Sequence, residues 1–323
     1  MIETKDAKSA ATEARVKPVV SENLWTDAFR RLLKNKVAVV GGILIILLAL
    51  TAIFAPLIAP YHFADGDFDA IYEPPGRDFR MGADFLGRDV FSRLIYGTRI
   101  SLMVGTLGAL FALTIGTLYG TVSGYAGGKV DNVMMRIVDI LYAFPSLLFI
   151  ILLMVTFKGG FTGASMQNPF IRAIAAIDKR VGGMLFIMIG ISLTSWVGMA
   201  RLSRGMVLSL RETEYIQAAQ ALGAGNWRIV LRHLVPNLVG PMIVRVTLAI
   251  PGYIGTEAFL SFIGLGVDPP TPSWGAMIQE GFLSMRSHPH LAIYPGIALA
   301  LVMLSFNFLG DGLRDALDPR MKQ

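Results

Sequence analysis

The sequence predicts an all-α polytopic membrane protein with six transmembrane helices and both termini in the cytoplasm. Hydrophobic residues make up 54% of the 323-residue chain and charged residues only 16%, whereas charged residues are about a quarter of an ordinary soluble domain. The mean hydropathy is +0.57. Because a helical crossing of the bilayer needs roughly 20 mostly apolar residues, long apolar segments identify the spans.

Six segments have the composition of membrane-spanning helices. The polar connections between them are too short for a separate soluble domain. The third segment is short for a complete span, and the fifth contains charged residues. The predicted spans are 38–59, 101–123, 145–157, 183–200, 239–263 and 291–309.

The distribution of Lys and Arg predicts the orientation in the membrane. With the N-terminus inside, the inner connections hold 18 of these residues and the outer ones 10, a bias typical of the cytoplasmic side. The first apolar run begins near Val37 and lacks a cleavage site, so it is interpreted as a retained span rather than a signal peptide. Zero cysteines exclude disulfides, thiol catalysis and thiolate metal sites.

Two regions organise the chain. Residues 1–36 are predicted to form a cytoplasmic tail and an amphipathic interfacial helix, and 37–323 a six-helix transmembrane domain with the cytoplasmic loop 201–237. Residues 1–20 are polar and aperiodic, so a disordered tail is expected. The helix that follows has a basic face and lies on the inner membrane surface or packs on a partner protein. Its apolar positions are 24, 25, 28, 29, 32 and 33.

The outer segment 61–99 ends in an amphipathic stretch. Val90 and Ile95 belong to its apolar face, whereas Arg88 and Arg93 belong to the polar face. We expect this stretch to lie flat on the outer surface before the second span, with each charge solvated.

Glycines recur at four-residue spacing in the second span, at Gly116, Gly120 and Gly124. Such a ridge lets another helix approach closely in lipid. The alternative is a mobile hinge.

Motifs of catalysis are not found in the sequence. The stretch GYAGGKV (124–130) has neither the spacing of a phosphate-binding loop nor a hydroxyl residue after its lysine. His288 and His290 flank a proline in an outer loop, which is a weak metal signal without further ligands. The chain is therefore predicted to be non-catalytic and to bind no cofactor or metal itself.

Arg245 and Glu257 are charged residues within the fifth span, where charges are costly and mark functional sites by default. They lie twelve residues apart, about 18 Å along a helix, so they cannot pair directly. Arg245 is close enough to the inner interface to extend its side chain towards water. Glu257 is a candidate for the translocation pathway, facing an aqueous cavity and a cationic group; alternatively, neighbouring groups or another subunit satisfy its carboxylate.

The loop between the fourth and fifth spans contains EYIQAAQALGAGNWRIVLRHLVPN (214–237). It predicts a short helix with a thin, small-residue surface, ended by a left-handed cap at Gly223 or Gly225. A second helix, with Trp227 and Leu231 among its apolar residues, would lie against the membrane face. Pro236 is expected to break the chain before the fifth span. The predicted site residues are Glu214, Gln217, Ala218, Ala219, Ala221, Gly223 and Pro236.

This loop resembles the cytoplasmic EAA loop of the inner-membrane permeases of ABC importers. Five other stretches resemble the shorter, C-type permease subunit of the dipeptide and oligopeptide branch, and the likeness covers about residues 21–320. Gln217 stands where the family often has Glu, and His233 where it often has Ile. The stretches are GADFLGRDVFSRLIYGTRISLMVG, GYAGGKVDNVMMRIVDILYAFP, LSFIGLG with SWGAMI, and NFLGDGLRDALDPR.

The resemblance implies a type I ABC importer permease in a bacterial or archaeal inner membrane. It implies a homologous B-type permease, two cytoplasmic ATP-binding subunits that use ATP and Mg, an extracytoplasmic substrate-binding protein that delivers peptide, and no nucleic acid. The segment 214–236 would couple the motion of the ATPases to alternating access. Import of nickel or another small solute, or ion-coupled secondary transport, are the alternatives.

Overall fold

The computed structural model describes residues 24–158 and 168–318. The predicted tail 1–20 and part of the outer loop 158–181 lie outside these residues. The described chain is helical apart from turns and loops. Its α-helices are α1 Leu24–Lys34, α2 Lys36–Ile53, α3 Ala55–Ile58, α4 Val90–Phe111, α5 Thr117–Ala126, α6 Gly128–Ala143, α7 Ser146–Lys158, α8 Pro169–Arg180, α9 Leu185–Leu210, α10 Glu214–Ala221, α11 Asn226–Ile229, α12 Val235–Phe262, α13 Trp274–Leu283 and α14 His290–Leu317.

Five helical segments are long and apolar enough to cross a membrane, and a sixth follows if the bent pair α6 and α7 counts as one span. The pair bends by 78°, yet it follows α9 along its length. Asp131 of α6 pairs with Arg204 near the end of α9, and Phe157 of α7 stacks on Phe186 near its start, with ring centroids 5.4 Å apart. The short third apolar segment is therefore completed by α6. The five segments are Lys36–Ile53, Val90–Ala126, Leu185–Leu210, Asn226–Phe262 and His290–Leu317.

Both ends of the described chain lie at the same end of the bundle. A Cβ placed on Gly312 of α14 would meet the side chains of Ala38 and Leu32, and one placed on Gly240 at the start of α12 would lie 3.9 Å from Leu317. Residues 211–237 lie at this end. We call these residues the bracket and this end the bracket end. The opposite end, which holds 61–89 and 265–289, is called the loop end. Which side of the membrane each end faces stays a prediction.

The glycine ridge of the second span is a packing surface, in agreement with the expectation that it lets another helix approach closely. A Cβ on Gly120 would overlap the backbone oxygen of Ala200, and one on Gly124 would lie 2.9 Å from the backbone oxygen of Arg204. The ridge therefore brings α5 against α9 with no room for a side chain. Between α4 and α5, a π-helical turn at Ala112–Gly116 keeps the segment continuous.

The expectation that the stretch before the second span lies flat on the outer surface is wrong. Val90 begins α4, and α4 continues with α5 as one segment to Ala126. The side chains of Arg88 and Arg93 are buried, at 3% and 2% exposure. Both faces of the stretch are covered, because residues 61–89 and α13 pack around it.

Four charged residues form what we call the loop-end ionic cluster: Asp84, Arg88, Arg93 and Glu280. Asp84 Oδ2 accepts from Arg88 Nε at 2.7 Å and also from Arg93 Nη1. Glu280 Oε2 of α13 lies 2.6 Å from Arg93 Nη1 and 3.2 Å from Arg88 Nη2. Two cations meet two carboxylates, so the cluster is internally neutral and joins residues 61–89, α4 and α13. The interpretation of these arginines as solvated is therefore wrong.

Pro236 does not break the helix before the fifth span, contrary to the expectation. Residues 226–262 form one helical segment. A five-residue π-helical turn, Val230–Leu234, precedes Pro236, and the Val235 N–H donates to the Val230 carbonyl five residues back. In a regular α-helix the proline ring would clash with the carbonyl four residues earlier, and the wider π turn relieves that clash.

Candidate coupling site

The first part of the predicted loop forms a short, capped helix. Thr213 precedes α10 in an extended conformation. At the other end Gly223 has φ +78°, and the Ala224 N–H donates to the Ala219 carbonyl at 3.0 Å while the Gly223 N–H donates to the Gln220 carbonyl at 2.9 Å. This pair of bonds is a Schellman cap. The left-handed cap thus lies at Gly223, since Gly225 has φ −66°.

One buried side chain anchors α10 to the bundle. Ile216 has no exposed surface and belongs to the same hydrophobic core as Ile229, Val230 and Leu234. Burial of an isoleucine side chain stabilises a contact by about 2 kcal/mol. This anchor holds the first half of the bracket, residues 211–237, against the bundle.

The second half of the bracket belongs to the helical segment of the fifth span and is not the separate helix that was expected. Val230 and Leu234 are buried, whereas Trp227 and Leu231 remain 68% and 56% exposed. The segment is therefore continuous with the fifth span instead of a separate helix, and the contact of its exposed apolar side with the membrane stays a prediction.

The predicted site residues of α10 form an outward-facing surface. Glu214, Gln217, Ala218 and Ala221 are exposed and Ala219 is half-buried. Just after them Leu222 is 88% exposed, and Gly223 is exposed as well. Small side chains around one protruding leucine make a thin surface that another protein can approach closely. Pro236 lies at the start of α12 and does not belong to this surface.

Polar contacts stiffen the bracket at both of its ends. Asn237 Nδ2 donates to the His233 carbonyl at 2.6 Å and lies 3.4 Å from the Tyr215 hydroxyl. The Tyr125 hydroxyl at the end of α5 donates to Asn226 Oδ1 at 3.1 Å. Gln217 Nε2 donates to the Glu212 carbonyl at 3.2 Å, so this side chain is used within the bracket. The short helix is thus connected to the fifth span, and the bracket contacts the second span at Asn226.

An open cavity of about 590 Å³ separates the bracket from α5. Its wall combines apolar and polar side chains, and both Gln217 and Trp227 contribute to it. The remaining lining residues are Val122, Tyr125, Ala126, Arg211, Glu212, Gln220, Asn226 and Val230.

The two charged residues of the fifth span have different surroundings. Glu257 has no exposed surface, and its carboxylate accepts from Ser261 Oγ at 2.7 Å and from Ser101 Oγ at 3.2 Å. The expectation that Glu257 faces an aqueous cavity is therefore wrong in this structure, and the alternative of a carboxylate satisfied by its neighbours describes it. Arg245 is exposed, and its place in a pathway stays a prediction.

Residues that sequence reasoning missed fall into two groups. Ile216 is the buried anchor of α10. The sequence feature that could have identified it is a single β-branched apolar residue in a short helix of mostly small and polar residues. The loop-end ionic cluster was missed because its four members are separated by up to 196 positions in the sequence, from Asp84 to Glu280. Among the described residues, no group of three or more His, Asp or Glu side chains has the arrangement of a metal site.

The fold is similar to that of a solved ABC importer. A chain of the MetNI methionine ABC transporter in an inward-facing conformation superposes with a TM-score of 0.54 at 18% sequence identity, covering 70% of this chain and 96% of that chain. A second crystal form gives 0.52 at 17% identity. The fold thus defines the class: a polytopic helical permease of type I ABC importer architecture.

Sequence comparison defines the family within that class. Residues 116–323 match the model for the binding-protein-dependent transport system inner membrane component, and residues 23–75 match the N-terminal TM domain of oligopeptide transport permease C. The chain belongs to this family of binding-protein-dependent transport permeases.

The relatives include oligopeptide and dipeptide permeases. The oligopeptide transport system permease protein OppC of Bacillus subtilis is 42% identical over 304 residues, which cover 94% of this chain and 92% of that protein. OppC of Escherichia coli K12 is 42% identical over 322 residues, 99% of each chain. The dipeptide transport system permease protein DppC of Bacillus subtilis is 41% identical over 298 residues, 92% of this chain and 86% of that protein.

Proposed function

We propose that this chain is one of two transmembrane subunits of an ATP-driven peptide importer, and that its bracket passes the motion of ATP-binding subunits to the spans. The single observation that carries the proposal is the construction of α10. It presents exposed alanines and Leu222 outwards while Ile216 fixes it to the core that contains the second, fourth and fifth spans. A push on that surface is therefore transmitted to the bundle.

The peptide substrate and the partners are inferred by analogy with the relatives. OppC and DppC are named for oligopeptide and dipeptide transport. By analogy the complex contains a homologous B-type permease, two cytoplasmic ATP-binding subunits and an extracytoplasmic substrate-binding protein, in a bacterial inner membrane. ATP and Mg would be bound by the ATP-binding subunits. This placement puts the bracket end in the cytoplasm, in agreement with the Lys and Arg bias.

The ion-coupled alternative is not favoured. Secondary transporters place coupling charges near the membrane midplane, where they line a pathway. Glu257 was one of two candidates for such a charge, and it is enclosed by serine hydroxyls.

Introducing a large side chain on the thin surface of α10 tests the proposal. Ala218→Trp would keep a large side chain in the position where a partner approaches, so we expect the complex to assemble in the membrane but to lose substrate-stimulated ATP hydrolysis after reconstitution with its partners and binding protein. Gly223→Pro, which replaces the capping glycine, should have the same effect.

The control is Ala176→Trp, since Ala176 is an exposed alanine of α8 at the other end of the bundle. It should leave stimulation close to that of the wild-type complex. Normal stimulation in the Ala218→Trp complex would refute the role of the bracket.

A further inference from the structure

The helix α8 has no role in the proposed transport mechanism. It lies in the outer connection between the third and fourth spans and follows the lipid-length helix α7. Its sequence, PFIRAIAAIDKR, is strongly amphipathic. The connection 158–181 is longer than is usual in the family that the sequence resembles. The function of this helix is therefore still to be explained.

Contacts at the end of α8 place it at the loop end of the bundle. The Leu185 N–H at the start of α9 donates to Asp178 Oδ1 at 3.0 Å, and the Asp268 N–H donates to the Gly182 carbonyl at 2.8 Å. Asp178 is buried. The helix is therefore fixed beside the start of α9 and the loop that follows α12, where the apolar spans meet the polar loops.

The inner side of α8 is covered by the protein. Ile174 and Val181 pack against the core cluster that also contains Ile150 and Met154 of α7. Two large apolar side chains of the same stripe, Phe170 at 71% and Ile177 at 49%, remain exposed at its edge, since residues three, four and seven apart lie on one side of a helix. Part of the apolar stripe therefore remains open after the helix has packed on its own chain.

The exposed apolar face of α8 follows an equally exposed apolar stripe of α7. Leu148, Leu152 and Val155 recur at helical spacing and are 57 to 61% exposed, which is the pattern of a helix side turned towards lipid. This stripe leads along α7 towards the loop end. Lipid that covers α7 would therefore extend to the segment in which α8 lies.

Three cations complete the exposed surface of α8. Arg172, Lys179 and Arg180 are exposed, and no ion pair is formed by any of them within residues 24–158 and 168–318. A helix that combines open apolar side chains with unpaired cations, fixed at the end of the spans, has the character of an interfacial membrane helix. A soluble acidic partner would match the cations but would leave Phe170 and Ile177 without an apolar environment.

We propose that α8 lies in the outer interface of the membrane and binds anionic phospholipid, with Phe170 and Ile177 among the acyl chains and Arg172, Lys179 and Arg180 at the phosphates. The shared ligand chemistry is a phosphate group on an acyl-chain lipid. This inference depends on the chain spanning a membrane and goes beyond the proposed function, since it requires neither ATP nor peptide.

A photo-cross-linking amino acid at position 170 tests the proposal in the assembled complex. The complex is reconstituted in vesicles of phosphatidylethanolamine and phosphatidylglycerol, with its binding protein present, and irradiated, and the adducts are identified by mass. We expect phospholipid adducts with phosphatidylglycerol enriched roughly fivefold over its share of the vesicle, the effect of about one cation near an anionic surface. An adduct to the binding protein or to another subunit would overturn the proposal.

Matched variants separate specific binding from bulk lipid contact. Changing Arg172, Lys179 and Arg180 together to Gln should remove the enrichment while lipid adducts continue to form. Changing Arg77, Arg80 and Arg286 to Gln, three exposed arginines elsewhere at the loop end, removes the same charge and should leave the enrichment in place. Equal enrichment in both triple variants, or none in the wild-type complex, would contradict the assignment. Because the readout is a lipid adduct, failure here leaves the coupling role of the bracket untouched.

Discussion

The two ends of the bundle are built on opposite principles. At the loop end, Asp84, Arg88 and Arg93 are at least 95% buried, and their charges pair with one another and with Glu280, while Arg93 Nε has no hydrogen-bond partner among the described residues. At the bracket end, α10 has a single buried anchor and leaves Leu222 88% exposed. The first arrangement needs no other polypeptide to satisfy its charges. The second leaves a surface open, which is the property expected of the end that meets a moving partner.

The largest effect is expected from breaking the loop-end ionic cluster. Arg93→Met leaves the carboxylates of Asp84 and Glu280 short of one cation, and removal of one partner from a buried ion pair costs about 3–5 kcal/mol. The thermal unfolding midpoint of the purified chain in detergent should fall clearly. Arg77→Met, at an exposed arginine of the same loop, is the control, and equal midpoints for the two variants would show that the cluster does not stabilise the fold.

The anchor of the bracket is the next target. Ile216→Ala removes a fully buried side chain and should cost about 2–4 kcal/mol through lost burial and the cavity left behind. Because α10 would then be loosely held, substrate-stimulated ATP hydrolysis in the reconstituted complex should fall as well. Leu222→Ala alters an exposed side chain and should change the unfolding free energy by no more than about 0.5 kcal/mol. A stable, fully stimulated Ile216→Ala complex would contradict the anchoring role.

The helix cap gives a smaller, purely local effect. Gly223 has φ +78°, and a Cβ in this left-handed region costs about 1–2 kcal/mol. Gly223→Ala should therefore lower the unfolding free energy by about that amount. Gly225→Ala is a matched control two residues away, where φ is −66°, and it should be nearly neutral. The comparison fails if both variants lose the same stability.

The smallest effect is expected where a buried acid is already satisfied by neutral groups. Glu257→Gln keeps one side-chain oxygen to accept from Ser261 and places an amide N–H opposite Ser101, whose hydroxyl oxygen can accept in place of donating. Stability and transport should therefore remain close to wild type, with a cost below about 1.5 kcal/mol. Glu257→Leu removes both acceptors and should cost about 1–3 kcal/mol through the unsatisfied hydroxyls. Complete loss of peptide transport by the well-folded Gln variant would indicate a role for the charge itself.

The sequence predicted best what depends on local pattern. Apolar length predicted the spans, the four-residue glycine spacing predicted the contact of α5 with α9, and the glycine after α10 predicted its left-handed cap. These features require only that each segment follow its own period or dihedral preference. The pairing of α6 with α7 was harder to predict, because the two helices meet at a bend of 78°. Composition alone treats them as two separate segments.

The errors share a physical cause, namely contacts between distant parts of the chain. Arg93 looked solvated because Glu280 is 187 positions away. Glu257 looked available to a pathway because Ser101, which encloses it, belongs to another helix. Pro236 looked like a break because its effect depends on whether the preceding turn widens to a π-helix. In each case tertiary contacts or backbone adjustment changed the outcome of a sound local rule.

A pair of exposed leucines permits the most direct test of the coupling role. Leu222 follows α10 and is 88% exposed, and Leu283 ends α13 at the loop end and is 79% exposed. The natural chain has no cysteine, so Leu222→Cys and Leu283→Cys each introduce a single thiol. In intact cells, a membrane-impermeant maleimide should label position 283 but not 222, and in the assembled complex only position 222 should cross-link to an ATP-binding subunit. Labelling of position 222 from outside, or its failure to cross-link to that subunit, would contradict the account.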